Sequence, residues 1–77
     1  MKLNIGDMIY FAPHNALGVL LSCHRHPDGD NIWKYSLRSA TKKDLSHHLV
    51  NVYEAQECKI VESIESGRFE YYNAKTV

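Results

Sequence analysis

The stretch from Ala16 to Arg38 limits what this chain can fold into more than any other. It reads Ala-Leu-Gly-Val-Leu-Leu-Ser-Cys-His-Arg-His, then Pro-Asp-Gly-Asp, then Asn-Ile-Trp-Lys-Tyr-Ser-Leu-Arg. An apolar run, a cluster of turn formers and an alternating run make the pattern of a β-hairpin. Successive side chains on a strand point to opposite faces. Trp33, Tyr35 and Leu37 therefore share one face, and Ile32, Lys34, Ser36 and Arg38 the other. Gly18, inside the first arm, predicts a bulge or a sharp bend.

Short strands continue on both sides of the hairpin. Gly6-Asp7 is a turn pair before the strand Met8–Ala12, which Pro13-His14-Asn15 ends. Leu49–Tyr53 reads as a further strand, and Phe69–Tyr72, after the Ser66-Gly67 turn, as the last. Residues 39–48 are polar and read as a solvated loop, or as one helical turn with Thr41 and Asp44 at capping-box spacing. Residues 54–66 have two readings. In one, Glu54–Glu57 interrupts the sheet and Cys58–Ile64 is a strand. In the other, Ala55, Cys58, Val61 and Ile64 recur every three residues along a helix, with Gly67 at its C-cap.

The 77 residues make one domain, 1–77. A chain this short buries only about 60% of its unfolded surface, which leaves little room for a deep catalytic cleft. Five or six short strands laid flat would leave exposed edges and a one-sided core. Curling into a small barrel removes both faults. The fold class expected is all-β, a small barrel of five to six short antiparallel strands. The alternative is α+β, with a helix near 54–66.

Gly6-Asp7 before a strand, Gly18-Val19-Leu20, Trp33-x-Tyr35-x-Leu37, a polar loop and Val50-x-Val52-Tyr53-Glu54 together resemble the SH3-like barrel superfamily. The pattern is most similar to its Tudor-like and KOW-like members. It spans roughly residues 5–62, with 63–77 as a C-terminal extension. The resemblance implies an SH3-like barrel serving as a binding module. In Tudor-like domains aromatic rings cage a methylated Lys or Arg, because a ring face attracts a cation. The rings here that would converge are Tyr10 or Phe11, Trp33, Tyr35 and Tyr53. The competing reading is that they form the core of a small domain. No acidic residue sits beside Trp33 in the chain to complete a cage.

Nine Lys and Arg balance nine Asp and Glu, so no global basic field draws nucleic acid. The balance is uneven along the chain: residues 1–50 carry six basic and four acidic side chains, and residues 51–77 three and five. Within the first part, Arg25, Lys34, Arg38, Lys42 and Lys43 form a basic set. With Trp33 and Tyr35 nearby, this set would grip a single nucleic-acid strand by charge and stacking. Asp28, Asp30 and Asp44 are interleaved with it, as on an ordinary solvated face.

Cys23-His24-x-His26, His47-His48 and Cys58 are zinc-ligand types. On a strand, however, Cys23 and His24 face opposite ways, and no Cys-x-x-Cys or His-x-x-x-His spacing occurs. Cys58 with His47 or His48 would need a third, orienting group and a pocket before it became a nucleophile pair. Asp28-x-Asp30 opens like a calcium loop but has Trp33 where Gly is required and Ser39 where Glu is required. No Gly-rich phosphate loop and no Gly-x-Ser-x-Gly occurs. The sequence therefore assigns no catalytic residue, no metal and no cofactor.

Two cysteines are too few for a disulfide scaffold, and the N-terminus reads without a secretory leader, which implies reduced thiols in the cytoplasm. No apolar run approaches the ~18 residues of a membrane span. The expected function is a non-catalytic protein-interaction module, an adaptor or regulator. It would dock on a larger protein partner through an exposed strand edge or an aromatic surface. The alternative is a single-stranded nucleic-acid-binding module using the basic 25–43 face. The candidate binding residues are Tyr10, Trp33, Lys34, Tyr35, Arg38, Lys42, Lys43 and Tyr53. An unpaired edge would also serve a homodimer.

Overall fold

The computed structural model describes residues 2–40 and 51–73. Strands β1 (Met8–Phe11), β2 (Ala16–Arg25), β3 (Asn31–Ser39) and β4 (Asn51–Gln56) follow one another as an antiparallel meander. The last strand, β5 (Phe69–Tyr72), returns to pair with β1. The result is one five-stranded sheet in the order β4-β3-β2-β1-β5. The helix α1 (Glu57–Glu65) links β4 to β5 and packs on one face of it. Among the described residues no helix is long and apolar enough to cross a membrane.

The hairpin forms where the alternation places it. His26 donates its backbone N–H to Asp30 (2.8 Å) and Gly29 donates to His26 (2.9 Å), with Gly29 at φ +98°. Only glycine takes that conformation without cost. Trp33, Tyr35 and Leu37 face the core, and Lys34 is exposed on the other side. Gly18 does not make the bulge expected of it. It pairs regularly with Ile9 and Leu37, and the irregularity falls between Leu20 and Ser22. The glycine answers a close approach instead: a Cβ there would lie 2.5 Å from the Ser36 carbonyl oxygen and 2.9 Å from Ile9 Cγ1.

Residues 58–64 are helical, so the strand reading of this segment gives way to its α+β alternative. Glu57, Ile60, Val61 and Ile64 are spaced i, i+3, i+4, i+7, one side of a helix. Ile60 is 1% exposed, and Val61 and Ile64 pack against the same core. The every-third-residue pattern also put Cys58 on this side, but Cys58 is exposed. Gly67, at φ +83°, follows the last turn. The Thr41–Asp44 helical turn, and Leu49 and Val50 of the expected fourth strand, lie outside the described residues.

Helix α1 covers the inner face of the sheet, where Leu3, Ile9, Leu20, Trp33, Ile60 and Phe69 form the core. In a flat sheet β3 and β5, three strand spacings apart, would be separated by about 14 Å. The rings of Tyr35 and Phe69 nevertheless meet edge to face at 6.2 Å, so the sheet curls strongly over its inner face.

The Gly6-Asp7 turn fastens the start of this curl. Asp7 is fully buried. Its carboxylate accepts the Asn4 backbone N–H at 2.8 Å and the hydroxyl of Tyr71 on β5. Its backbone carbonyl accepts the Leu20 N–H at 2.9 Å. One residue thereby ties the N-terminal turn to β2 and β5.

Candidate binding groove

Helix α1 is nine residues long and cannot cover the whole inner face. Toward the Trp33 end the cover is close: the Trp33 indole N–H donates to Glu57 Oε1 at 2.9 Å, and Trp33 is 3% exposed. Toward the other end of the strands, among the described residues, a groove of about 700 Å³ lies between α1 and the sheet. Its floor is aromatic. Phe11 meets Phe69 edge to face at 5.5 Å, and Tyr35 stacks on Tyr53 of β4 at 5.6 Å and 25°. Directly opposed aromatic pairs of this kind follow from the register, which sets Tyr35 against Tyr53 and Phe11 against Phe69.

The rim is cationic. Lys59 from α1 and Arg68 before β5 supply its charge; His14 also lines the groove, Arg38 at the end of β3 borders it from the outer-face register row of Glu70, Tyr10 and Leu17, and no Asp or Glu lines it among the described residues. The Arg68 guanidinium carbon stands 5.5 Å from the centre of the Phe11 ring, in cation–π range. Burial pushes the Tyr35 hydroxyl pKa up, as does the neighbouring Tyr53. Both effects favour the neutral phenol at Tyr35.

The sequence-predicted residues divide between two faces. Tyr35 and Tyr53 come together in the groove, and Arg38 borders its mouth from the register row of Tyr10 and Glu70 on the other face. Trp33 lies on the same face but sealed beneath α1, with Glu57 as the acidic neighbour that its local sequence lacks. Tyr10 and Lys34 are on the opposite face. There the Tyr10 hydroxyl donates to Asn15 Oδ1 at 2.6 Å, and Lys34 stands opposite Glu54 on β4. Lys42 and Lys43 lie outside the described residues. The alternation that separates Lys34 from Trp33 and Tyr35 also stops those three residues from acting as one surface. Of the two rings Tyr10 and Phe11 offered as alternatives, it is Phe11 that reaches the groove; Lys59, Arg68 and Phe69 were not singled out from the sequence. Their only signal was residue type, and the fold brings them together with Phe11 from three separate segments.

The sulfur and imidazole groups do not assemble. Among the described residues no three of His, Cys, Asp and Glu stand close enough to hold a metal ion. Burial, and then the Glu57 charge, push the Cys23 thiol pKa up. A hydrogen bond with Asp30 is the chief cause of the upward shift at Cys58. Both cysteines are thus held in the thiol form, which is the weaker nucleophile. His26 and Asp28 pair at 3.0 Å on the exposed hairpin turn. The Asp28 carboxyl pKa is lowered, first by the Asp30 backbone N–H and then by His26.

No family model matches the sequence, and neither a curated protein nor a solved structure does.

Proposed function

We propose that this chain is a non-catalytic binding module of SH3-like type that captures an extended segment of a larger protein partner. The observation that carries the reading is the groove between α1 and the open end of the sheet. It is floored by Phe11, Tyr35, Tyr53 and Phe69, and its outer wall is the edge strand β4. Among the described residues β4 pairs only with β3. A free strand edge offers backbone donors and acceptors to an added strand, and a groove beside it receives every second side chain of that strand. Aromatic anchors in such pockets supply most of the binding energy in peptide recognition.

This reading turns the resemblance toward peptide capture rather than the methyl-lysine cage, because Trp33 is sealed and engaged with Glu57. It also favours protein over nucleic acid on the face first considered for the latter. Lys34 is matched there by Glu54, and Glu70 lies on the same side opposite Tyr10.

Selection of a displayed random-peptide library on the immobilised protein tests the proposal. The enriched peptides are then remeasured on Tyr53→Ala. The reading expects enriched peptides that lose at least about tenfold in affinity on the variant. A library that enriches nothing, or peptides indifferent to Tyr53, overturns it.

A further inference from the structure

We infer that the groove selects acidic peptides, with one aromatic side chain entering it and carboxylates meeting its rim. The inference rests on the binding-module reading and adds the chemistry of the partner. A chain with no net charge has sorted its charges by place. Two carboxylates of the inner side are already engaged: Asp7 by Tyr71 and Asn4, and Glu57 by the Trp33 indole. Glu54 and Glu70 stand on the outer face. Among the described residues the groove is left with the cations Lys59 and Arg68.

These cations are open to a partner. Arg68 has no carboxylate within ion-pair distance among the described residues. Among the described residues the only such pair of Lys59 is a solvent-exposed contact with Glu62 at 3.6 Å, which is readily exchanged. The Phe11 ring holds the Arg68 guanidinium beside the aromatic floor, where it can meet a carboxylate with two parallel N–H donors. An aromatic floor under a cationic rim suits nucleic acid as well as an acidic peptide. The edge of β4, which pairs only with β3 among the described residues, decides between them, since only a polypeptide can continue the ladder.

Fluorescence anisotropy with four labelled probes tests the inference on the full chain. The probes are a short peptide with a Glu-Asp-Phe-Glu-Asp centre, its Gln-Asn-Phe-Gln-Asn isostere, its Lys-Lys-Phe-Lys-Lys counterpart and an oligothymidylate. The acidic peptide is expected to bind at least about tenfold more tightly than the isostere, and to weaken as salt rises through the screening range. Lys59→Glu and Arg68→Glu together should abolish that preference and transfer it to the lysine peptide. Both side chains are exposed, so melting curves should confirm an intact fold. Equal affinity for the acidic peptide and its isostere, with both sensitive to Tyr53→Ala, would remove acid selectivity and leave the binding module standing. Binding of the oligothymidylate alone would overturn both readings. Binding of no probe overturns the acidic selectivity.

Discussion

Gly18 sits where β1, β2 and β3 pass closest on the inner face, and it is there because no larger residue fits. A methyl group at this position would press on a ladder carbonyl 2.5 Å away, and that atom cannot move without breaking strand pairing. Gly18→Ala is expected to destabilise the protein by about 1–3 kcal/mol. It should read as a lower denaturant midpoint at unchanged slope, and a variant as stable as the parent would refute the close approach. Tyr71 carries a second residue-scale prediction. Burial first, and then the Asp7 carboxylate, push its pKa up to about 12 from an ordinary value of 10. A group whose folded pKa is raised stabilises fully below its unfolded pKa and loses that contribution as pH rises through the folded value. Thermal stability should therefore fall between pH 10 and 12 in the parent. Tyr71→Phe should remove part of this fall while lowering stability near neutrality, because Asp7 stays buried without that donor. Identical alkaline profiles for the two proteins would count against the contact.

At the scale of elements, α1 holds to the sheet through Ile60 and the Trp33–Glu57 hydrogen bond. Ile60→Ala removes a side chain that is 1% exposed and should cost about 2–5 kcal/mol. Glu57→Ala strands a buried indole N–H and removes an acidic residue from the first turn, where the helix dipole favours it. A loss of about 1–3 kcal/mol is expected in chemical denaturation, and a neutral effect would argue that the hydrogen bond is not formed in solution. The hairpin was legible in the sequence because alternation, turn residues and strand length agree over 16–38. Helix α1 was legible only as an alternative. Ile60, Val61 and Ile64 suit a strand as well as a helix, and seven residues show too few periods to decide. The Asp7–Tyr71 and Trp33–Glu57 contacts span 64 and 24 residues, and no local pattern encodes such pairings. The same limit hid half of the groove. Alternation placed Tyr35 on the inner face, but the partners Phe11, Lys59, Arg68 and Phe69 are set by the curl of the sheet.

At the scale of the molecule, the two sides of the sheet offer different surfaces. The inner side carries the groove, with its aromatic floor, the cations Lys59 and Arg68, and the edge of β4, which pairs only with β3 among the described residues. The outer side carries a row in register across all five strands, Tyr72, Met8, Val19, Ser36 and Val52. Tyr72, Met8 and Val52 are exposed along it, with no cation among the five. The central claim is that the inner side binds. Tyr53→Ala tests its selectivity at little structural cost, since an exposed aromatic pair contributes only about 0.5–1.5 kcal/mol beyond area burial. The most direct test is to map amide chemical shifts by nuclear magnetic resonance while the acidic phenylalanine peptide is titrated into the labelled protein. Shifts are expected to concentrate on Phe11, Tyr35, Asn51–Ala55, Lys59 and Phe69, with the β4 amides newly protected from exchange. Shifts concentrated on Met8, Tyr10, Val19 and Tyr72, with β4 unchanged, would contradict the claim.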